Sequence, residues 1–398
     1  MSARIAMVVL SYYPSDPRPR REAEALIDQG YRVDVICLRG EKQTRHEMVN
    51  GAGVYRLPLK HRRGSKIRYL WEYAVFFVMS FFALSSLYLH KKYRLIHVHN
   101  MPDFLVFCSL LPRILGAKII LDLHDPMPEV FMAKYSMTRK DYFIQLLCLQ
   151  EKHSIRFSDL VLTPNMAFRD LFVSRGCPES KIHIVMNSPD EKIFSCSEKS
   201  EMSHDKNNHV FQVMYHGTII ERNGLDVALK AVAQIRKKIP HLVFQVYGGG
   251  EYLEPTKSLS AKLGLKDLVN FHGHVPLEKI ARDIQGVDVG LIPNKPSIHW
   301  ENAVPTRIFE CLCMRKPVIV PRTKGIMDYF DEESIFFHEP GDQESLADAI
   351  FEVYQDSERR KIVLHKGISV YRKYRWELQR QHFLEIVNNL IMNNPGLL

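Results

Sequence analysis

The sequence predicts an α/β protein built from two doubly wound parallel sheets in succession. Short runs rich in Val, Ile and Leu alternate with helix-length amphipathic segments along the whole chain, which is typical of parallel sheets covered by helices. The 398 residues are also too many for one ordinary domain and suit two of about 150–200 residues each. Ligands of such sheets bind at the carboxyl ends of the strands, so we expect the site in a cleft between two facing domains.

The first half of the chain predicts seven strands separated by helices. The predicted strands are Arg4–Ser11, Arg32–Leu38, Gly53–Leu57, Leu95–His99, Lys118–His124, Leu160–Thr163 and Ile182–Met186. Helices are predicted at Arg20–Gln29 and Asp141–Phe157, where the apolar spacing is helical. The stretch Ser195–Asn208 is polar and without periodicity, which is typical of a linker. We therefore place the first domain at 1–190 and the linker at 191–209.

The second half repeats the alternation. Its predicted strands are Phe211–Tyr215, Val243–Tyr247, Asn270–His272, Val287–Ile292, Val318–Val320 and Ile335–Phe337. Helices are predicted at Asp342–Tyr354 and Trp376–Ile391. This pattern indicates a second domain over 210–375 and a terminal helix in 376–398.

Positive charge is concentrated in the first quarter of the chain. Residues 1–100 contain 17 lysines and arginines against 8 aspartates and glutamates, and so carry the whole net charge of +9. The clusters are Arg18, Arg20 and Arg21; Lys60, Arg62, Arg63, Lys66 and Arg68; and Lys91, Lys92 and Arg94. Such patches attract nucleic acid, phosphorylated substrates or acidic lipid headgroups, or they form a solvated surface, and charge alone does not choose among these.

Cysteine usage and the start of the chain predict the compartment. Seven cysteines are scattered without a C-x-x-C pair, which argues against both a disulfide framework and a zinc ribbon. The opening MSARIAMVVLSYYP is typical of a buried strand entering a turn rather than of a signal peptide. We therefore expect a cytoplasmic protein.

One apolar segment raises the question of a membrane. The 17 residues Tyr73–Leu89 carry no charge, which is the lower limit for spanning a bilayer. The strands predicted before and after this segment belong to one sheet, and a span would separate them across the membrane. We expect a helix of the domain, either ordinary and buried or with an apolar face at the membrane interface beside the basic clusters.

Several nucleotide-binding motifs are absent from the sequence. The turn after the first strand contains no glycine, unlike the G-x-G-x-x-G fingerprint of nicotinamide and flavin enzymes. The sequence also has no P-loop, which excludes P-loop phosphoryl transfer, and no Asp-x-Asp pair to hold a metal on a nucleotide diphosphate. We therefore expect neither a metal nor a cofactor.

Two glycine-containing turns are suited to an anion. The segment HGTIIERNGLD ends a predicted strand at Gly217 and starts a helix near Gly224, with Arg222 and Asn223 between them. Glycine lets the backbone approach a ligand, and a helix N-terminus offers free N–H groups. The alternative is a plain turn with a solvated arginine. The following strand ends in three glycines that permit the same approach, Gly248, Gly249 and Gly250.

The segment ENAVPTRIFEC places two charged residues in a predicted helix. Arg307 lies close to the helix start at Pro305 and Thr306, where it adds to the positive end of the helix dipole. Glu310 lies one position too far for a capping box, and a carboxylate there can accept hydrogen bonds from two ribose hydroxyls. The alternative is that Glu310 pairs with Arg315 or complements the dipole.

Histidines occur at alternate positions of two predicted strands. His97 and His99, like His272 and His274, have the spacing of metal ligands on a strand. No matching carboxylates or thiolates accompany them in the sequence, so we do not expect a zinc site. His124 differs because it ends a predicted strand, where sites form, although a structural role fits it equally.

Taken together, these segments resemble the retaining glycosyltransferases of family 4, which have the GT-B fold of two facing Rossmann-like domains. HGTIIERNGLD resembles the phosphate loop of this family, and PTRIFECLCMRKPVIVP resembles its nucleotide-sugar motif. VYGGGEYLE and the segment after it resemble the core of its donor domain, and IVMNSPDEKIF resembles the crossover before that domain. Trp376 opens a segment similar to the last helix of the family, which returns to the first domain. The resemblance covers nearly the whole chain.

The resemblance implies roles for single residues. Arg222 and Arg307 are expected to bind the diphosphate of a UDP- or GDP-sugar, and Glu310 its ribose. The full implied donor-binding set is Gly217, Thr218, Arg222, Asn223, Gly248, Gly250, Val304, Pro305, Thr306, Arg307 and Glu310, and the implied catalytic residues are His124, Arg222 and Glu310. His124 is expected near the transferred sugar.

Two departures from the family pattern are visible in the sequence. Thr218 and Asn223 stand where the family has its phosphate-binding arginine and lysine. Asn302 stands where the first glutamate of the E-x7-E motif belongs, with Glu301 displaced by one position.

The acceptor is expected to bind the first domain. Asp16, Arg18 and Arg21 follow the first strand and suit a phosphorylated acceptor. Together with the apolar helix, they predict a lipid-linked or oligosaccharide acceptor at an anionic cytoplasmic membrane face, and no nucleic acid. The implied reaction is a metal-independent hexosyl transfer with retention. Two alternatives remain open: a sugar-nucleotide epimerase of the same fold, and a catalytically silent protein that binds nucleotide sugar or scaffolds an assembly.

Overall fold

The structure, a computed structural model, describes residues 3–60, 66–195 and 210–392, with only the backbone described at residues 66 and 67. The chain divides into two compact units. The first unit comprises Met1–Asn187 and Glu377–Leu398, and the second unit comprises Ser188–Trp376. Residues 196–209 of the predicted linker lie outside the described residues, as do Arg62 and Arg63 of the second basic cluster.

The first unit contains an eight-stranded sheet. Its strands are β1 (Arg4–Val8), β2 (Arg32–Leu38), β3 (His46–Val49), β4 (Ala52–Leu57), β5 (Leu95–His99), β6 (Lys118–Asp122), β7 (Leu160–Thr163) and β8 (Ile182–Ile184). The spatial order is β3-β4-β2-β1-β5-β6-β7-β8, and every pair is parallel except β3 with β4. The helices of this part of the chain are α1 (Pro17–Asp28), α2 (Lys66–Lys91), α3 (Leu110–Ile114), α4 (Met127–Tyr135), α5 (Tyr142–Phe157) and α6 (Met166–Ser174).

The second unit contains a six-stranded sheet in which all pairs are parallel. Its strands are β9 (Phe211–His216), β10 (Leu242–Tyr247), β11 (Val269–Gly273), β12 (Val289–Leu291), β13 (Val318–Pro321) and β14 (Phe336–His338), in the order β11-β10-β9-β12-β13-β14. Its helices are α7 (Leu225–Ile235), α8 (Leu253–Lys262), α9 (Leu277–Ile284), α10 (Thr306–Cys313), α11 (Lys324–Met327), α12 (Gln343–Gln355) and α13 (Ser357–Tyr374). The prediction of two doubly wound sheets is confirmed.

The last helix, α14 (Trp376–Met392), packs on the first unit from Glu377 onwards. The Gln379 side-chain oxygen accepts a hydrogen bond from the backbone N–H of Met186 at 2.8 Å. The buried Phe383 ring lies 5.9 Å from the ring of His97. These contacts hold the end of the chain against β5 and the segment after β8.

Both sheets grow in two directions from the first strand of their unit. β1 lies between β2 and β5, and β9 lies between β10 and β12. At such a switch point the loops after adjacent strands diverge, which leaves a crevice at the carboxyl ends. The residues predicted to form the site lie after β1, β6, β9 and β10 and at the start of α10.

Two local predictions were wrong. α1 begins at Pro17 rather than Arg20, because proline is well suited to the first turn of a helix, where its missing N–H is not needed. The edge strand β3 was missed. It is joined to β4 by Asn50 and Gly51, both with positive φ (51° and 83°), and Asn-Gly is the dipeptide that favours tight hairpins.

The apolar segment of the first half forms the long helix α2. By length and composition Arg68–Lys91 could cross a membrane. Of its apolar stretch of 18 residues, 33% is buried in the protein. The strands that α2 connects, β4 and β5, belong to the same sheet. The helix is therefore an integral part of the first unit, as the sequence predicted.

Candidate functional site

The loop after β9 in the second unit is closed by its own hydrogen bonds. The carbonyl oxygen of Thr218 accepts from the Asn223 amide at 2.7 Å and from the Tyr215 hydroxyl at 2.8 Å. Asn223 is buried and Thr218 is exposed. The Asn223 amide thus shapes the loop that precedes α7, and the role of Asn223 in donor binding stays a prediction.

The three-glycine turn after β10 packs on this loop. The N–H of Gly217 donates to Tyr247 O at 3.0 Å, and that of Ile219 to Gly249 O at 2.9 Å. A Cβ atom on Gly248 would lie 1.9 Å from the carbonyl oxygen of Gly217, and one on Gly250 would lie 2.1 Å from that of Ile219. The neighbouring backbone therefore requires these two glycines, and their predicted contact with a ligand stays a prediction.

Two charged side chains of α10 hold the end of β9. His216 Nε2 lies 2.7 Å from Glu310 Oε2, the distance of a hydrogen bond to a carboxylate. Arg307 Nη1 donates to the backbone carbonyl of the same His216 at 2.8 Å. We call this arrangement of His216, Arg307 and Glu310 the His216 clamp. The sequence suggested Arg315 as an alternative partner for Glu310, and in the structure Glu310 pairs with His216.

We call the loop after β9, residues 217–224, the glycine loop. The Arg307 guanidinium packs against the start of this loop. It lies 5.2 Å from the centre of the Tyr215 ring, and its Nη2 is 3.5 Å from Asn294 Oδ1 in the loop after β12. A Cβ on Gly217 would approach Arg307 Nη1 to 3.0 Å. Arg307 thus positions the loop through its backbone, and its contact with a diphosphate stays a prediction.

Sequence reasoning missed His216. Its signal was present, because the dipeptide His216-Gly217 ends a strand of a parallel sheet, where ligands bind. Its partner Glu310 is 94 positions away in the chain, so the sequence does not reveal the pairing.

Arg222 lies in the short 3-10 turn Glu221–Asn223 that leads into α7. The backbone carbonyl of Arg222 accepts a hydrogen bond from Lys295 N at 3.0 Å, and the Lys295 ammonium lies 2.8 Å from Asp226 in the first turn of α7. The N-cap residues of α7 and α10, Gly224 and Pro305, provide no side-chain hydrogen bond to the helix start. Both helix starts therefore have N–H groups available for an anion.

The segment before α10 contains Glu301, which is displaced by one position from the first glutamate of the E-x7-E motif. Glu301 Oε1 accepts from the backbone N–H of Lys324 at 3.1 Å, at the start of α11. Asn302 is half-buried, and its amide donates to Ile298 O at 3.2 Å. Val304 and Thr306 are half-buried and Pro305 is the N-cap of α10. Glu301 thus caps a neighbouring turn.

The first unit contains a cavity of about 260 Å³ at the carboxyl ends of β1, β5 and β6. Asp16, predicted to bind the acceptor, and His124, predicted near the transferred sugar, both line it, together with Asn100, Tyr69 and Tyr73. This brings together two residues that are 108 positions apart in the sequence.

Asn100 positions His124. Its side-chain oxygen accepts from the backbone N–H of His124 at 3.1 Å, while its amide donates to Asp103 at 2.8 Å and to Asp125 O at 2.6 Å. Asn100 is buried and was missed, although it directly follows His99 at the end of a predicted strand.

Arg18 is buried and paired inside the first unit, and not exposed for the phosphorylated acceptor that the sequence suggested. Its guanidinium forms a bidentate salt bridge with the Asp122 carboxylate (2.7 and 2.9 Å). It also donates hydrogen bonds to Val185 O and to Asn187 Oδ1, both at 2.9 Å. Burial opposes the charge of Asp122, but the Arg18 guanidinium holds the pKa of that carboxyl well below its usual range.

Arg21 is corrected for the same reason. It lies on the buried face of α1, and its Nη2 is 3.5 Å from Asn187 Oδ1. Arg18, Arg21, Glu22 and Ala25 are all buried, which is the spacing of one helix face. The basic cluster predicted on the surface therefore points partly into the sheet.

The histidines of β5 have the carboxylate neighbours that the sequence did not show. Glu22 from α1 and Asp122 from β6 lie beside His97 and His99, and all four side chains are buried. The Asp122 carboxylate is 3.1 Å from His99 Nδ1. The interpretation of this histidine pair as lacking partners is wrong.

Comparison with protein families agrees with this geometry. The model described as "Glycosyl transferases group 1" matches residues 197–368, and the model described as "Glycosyl transferase 4-like domain" matches residues 16–188. Together they extend over most of the chain. The chain belongs to the group 1 glycosyltransferases. The two family matches divide the chain at nearly the same place as the two units of the structure.

Curated members of this family share limited identity with the chain. The amylovoran biosynthesis glycosyltransferase of Erwinia amylovora is 20% identical over 236 residues, which is 58% of this chain and 57% of that protein. The alpha-D-kanosaminyltransferase of Streptomyces kanamyceticus is 20% identical over 63% of this chain and 65% of its own length. The chain thus spans less than two thirds of the length of these relatives.

Solved structures of glycosyltransferases match nearly the whole chain. Sucrose-phosphate synthase from Thermosynechococcus elongatus has a TM-score of 0.79 at 17% identity, over 98% of this chain and 100% of that one. The Anabaena protein HepE in complex with UDP-glucose has a TM-score of 0.72 at 16% identity, over 97% and 99%. The predicted GT-B fold of two Rossmann-like units is confirmed.

Proposed function

We propose that the protein is a retaining glycosyltransferase that moves a sugar from a UDP- or GDP-sugar to an acceptor hydroxyl. The observation that carries the proposal is the His216 clamp. It holds the Glu310 carboxylate beside a glycine loop and near the N-termini of α7 and α10. A fixed carboxylate suits the two ribose hydroxyls, and helix N-termini suit the diphosphate.

The reaction we propose is a substitution on one face of the sugar. The bond between the anomeric carbon and the diphosphate oxygen breaks, the bond to the acceptor oxygen forms, and the acceptor proton passes to the departing diphosphate. Negative charge grows on the leaving group, so groups that stabilise it lower the barrier. Arg222 and the two helix N-termini serve this purpose in the second unit, and the proposal needs no metal ion at the diphosphate.

Arg222 provides a direct test of this charge stabilisation. We expect Arg222→Ala to lower kcat by roughly 10²–10³-fold, the usual effect of losing one preorganised donor, while Arg222→Lys retains part of the activity. Lys230→Ala removes an exposed cation from α7 and is the control. Unchanged turnover in Arg222→Ala would contradict the assignment.

The transfer reaction itself is tested with a panel of nucleotide sugars, each incubated with and without a membrane extract as acceptor source. Nucleotide release that depends on the acceptor, with retained anomeric configuration in the product, supports the proposal. Interconversion of the sugar without an acceptor would indicate an epimerase instead. Binding of nucleotide sugar without any turnover would indicate a silent binding protein.

We infer that the acceptor is a lipid-linked or polysaccharide-precursor glycan at the cytoplasmic membrane face. The name of the Erwinia amylovora relative refers to amylovoran biosynthesis, which supports a polysaccharide precursor. In the first unit, α2 exposes Trp71, Val78, Phe82 and Leu89 (48–66% exposed). Their spacing of seven, four and seven residues places them on one face.

A basic residue lies beside this face and suits an anionic membrane surface. The exposed Lys92 follows the C-terminus of α2, and Ile114 of the adjoining α3 adds a further apolar side chain (71% exposed). Apolar contact combined with basic residues favours anionic lipid surfaces.

Vesicle sedimentation tests the membrane contact. We expect the protein to sediment with vesicles that contain phosphatidylglycerol, and less with vesicles of phosphatidylcholine alone. The double variant Trp71→Ser, Phe82→Ser should bind these vesicles at least about tenfold more weakly than the parent protein, because it removes two large apolar contacts. Ile362→Ser, an equally exposed apolar site on α13 (57% exposed), is the control. Equal binding of the double variant and the control would contradict the assignment of this face.

A further inference from the structure

Four metal-ligating side chains meet in the interior of the first unit. Glu22 comes from α1, His97 and His99 from one face of β5, and Asp122 from the end of β6. We call them the histidine–carboxylate cluster. Each is at most 1% exposed, and one ligand atom from each lies within 4.8 Å of the other three.

The cluster leaves buried polar atoms without partners. Among the residues that the structure describes, none forms a hydrogen bond to Glu22 Oε2 or to either ring nitrogen of His97, while Glu22 Oε1 has an ion pair with Arg18 at 3.3 Å. Buried polar side chains are hydrogen-bonded in the large majority of cases, so a group of unsatisfied atoms at one point requires an explanation. A bound cation coordinated by these atoms provides one.

The distances fit a four-coordinate metal. The Nε2 atom of His97 is 3.7 Å from Glu22 Oε2 and 3.8 Å from Asp122 Oδ2. An imidazole offers a single ligand atom to one ion, and His99 Nδ1 is 3.1 Å from Asp122 Oδ2. Metal bonds of about 2.0–2.1 Å to four ligands in a tetrahedron separate the ligand atoms by roughly 3.4 Å.

The charge of the cluster also favours a cation. The Arg18 guanidinium is 2.7 Å from Asp122 and 3.3 Å from Glu22, so one positive charge serves two carboxylates. With neutral imidazoles, the two ionised carboxylates and Arg18 together carry one negative charge, and the buried Arg21 of the same helix also acts on Glu22. Arg18 holds Asp122 in place through both carboxylate oxygens, Oδ2 at 2.7 Å and Oδ1 at 2.9 Å, and outer partners of metal ligands commonly act in this way.

We propose that the histidine–carboxylate cluster binds one divalent transition metal ion of the Zn²⁺ type, which ties α1 to β5 and β6. Two imidazoles and two carboxylates without a thiolate suit Zn²⁺. The site is closed, since all four ligands come from the protein, and this is the arrangement of structural rather than catalytic zinc. The His99 ring lies 6.3 Å from the ring of His124, so the ion would support the floor of the cavity. The site is separate from the proposed transfer reaction and stands whether or not that reaction is found.

Co²⁺ and Zn²⁺ are the probes for this site. The full chain is prepared without a polyhistidine tag, stripped with a chelator and titrated with Co²⁺. We expect one equivalent to bind with the intense visible absorption of four-coordinate cobalt, and Zn²⁺ to displace it. X-ray absorption of the zinc form should show nitrogen and oxygen ligands at about 2.0–2.1 Å and no sulfur at about 2.3 Å. This measurement needs no variant and distinguishes the cluster from the cysteines.

Variants then locate the ion. His97→Gln and Glu22→Gln should each weaken Co²⁺ binding by about 100-fold or more, since loss of even an outer partner of a metal ligand costs 10–100-fold. His365→Gln, an exposed histidine of α13, should leave it unchanged. Circular dichroism and the melting temperature without metal confirm that each variant is folded. Absence of stoichiometric binding in the parent protein, a sulfur-containing or six-coordinate site, or full binding in folded His97→Gln would overturn the proposal.

Discussion

At the scale of single side chains, the orientation of the Glu310 carboxylate is set by a neighbouring residue. Its carboxylate is half-buried and hydrogen-bonded to His216 at 2.7 Å, which fixes its direction at the end of β9. A charged acceptor held in advance binds a diol without a large loss of side-chain entropy. The nearby Glu301 has the same chemistry, but its carboxylate caps the backbone of Lys324.

These two glutamates allow a matched comparison. We expect Glu310→Gln to raise the KM for the nucleotide sugar by about 10-fold or more, because hydrogen bonds to a charged group contribute roughly 1.5–3 kcal/mol. Glu301→Gln should leave that KM unchanged. Steady-state kinetics with the donor varied measures both. A larger effect in Glu301→Gln would mean that Glu301 replaces the missing first glutamate of the E-x7-E motif.

Among the secondary-structure elements, the loops after β9 and β10 act as a pair. They are joined by backbone hydrogen bonds of 2.9–3.0 Å, and α10 supports them through Arg307. This arrangement fixes the shape of the glycine loop before any ligand arrives. The three consecutive glycines after β10 differ in how strictly they are required.

Gly248 and Gly249 test this packing. Gly248 has a φ of +134°, and a Cβ there would lie 1.9 Å from Gly217 O, whereas a Cβ on Gly249 would meet nothing within 4 Å. We expect Gly248→Ala to lower the free energy of unfolding by about 1–3 kcal/mol or more and to weaken donor binding. Gly249→Ala should be nearly neutral in both. Denaturant unfolding and donor titration measure the two effects, and equal behaviour of the variants would contradict the packing argument.

For the molecule as a whole, buried charge affects stability in the first unit. Arg175 donates to Glu151 at 2.8 Å and also pairs with Glu129, and both carboxylates are buried. One guanidinium thus serves two carboxylates from α5 and α4. Burial raises the pKa of Glu151 from its ordinary value of 4.5 to about 8, although Arg175 acts to lower it.

This raised pKa predicts how stability depends on pH. Between pH 4.5 and about 8 the folded protein retains a proton on Glu151 that the unfolded chain has released. The free energy of unfolding should therefore fall as the pH rises through this window, by about 1.4 kcal/mol per pH unit from this group. Denaturant unfolding between pH 5 and 8 measures the slope.

Glu151→Gln removes the titrating group and should make the pH dependence flatter. Glu385→Gln, on the exposed face of α14, should keep the slope of the parent protein. A slope that is identical in all three proteins, or stability that rises with pH in the parent, would show that Glu151 is already ionised in the folded state.

The sequence by itself determined that two parallel sheets follow one another along the chain. The alternation of β-rich and helical segments is a local property, and it predicted thirteen of the fourteen strands of the structure. The motif at Thr306–Cys313 was likewise readable, because a helix start and its charged residues lie within a few positions of one another. The strand β3 was missed although its Asn50-Gly51 turn was visible.

Only the tertiary structure decided what the charged residues contact. Arg18 belonged to a basic run that suggested a surface, but the inner face of α1 directs it to Asp122, 104 positions away. His216 and Glu310 meet because the loop after β9 lies next to α10. The histidine–carboxylate cluster forms because β5 lies between β1 and β6 in the sheet, so that Glu22 of α1 and Asp122 of β6 both reach its histidines. Such contacts depend on strand order and register, which involve residues far apart in the chain and so leave no local pattern in the sequence.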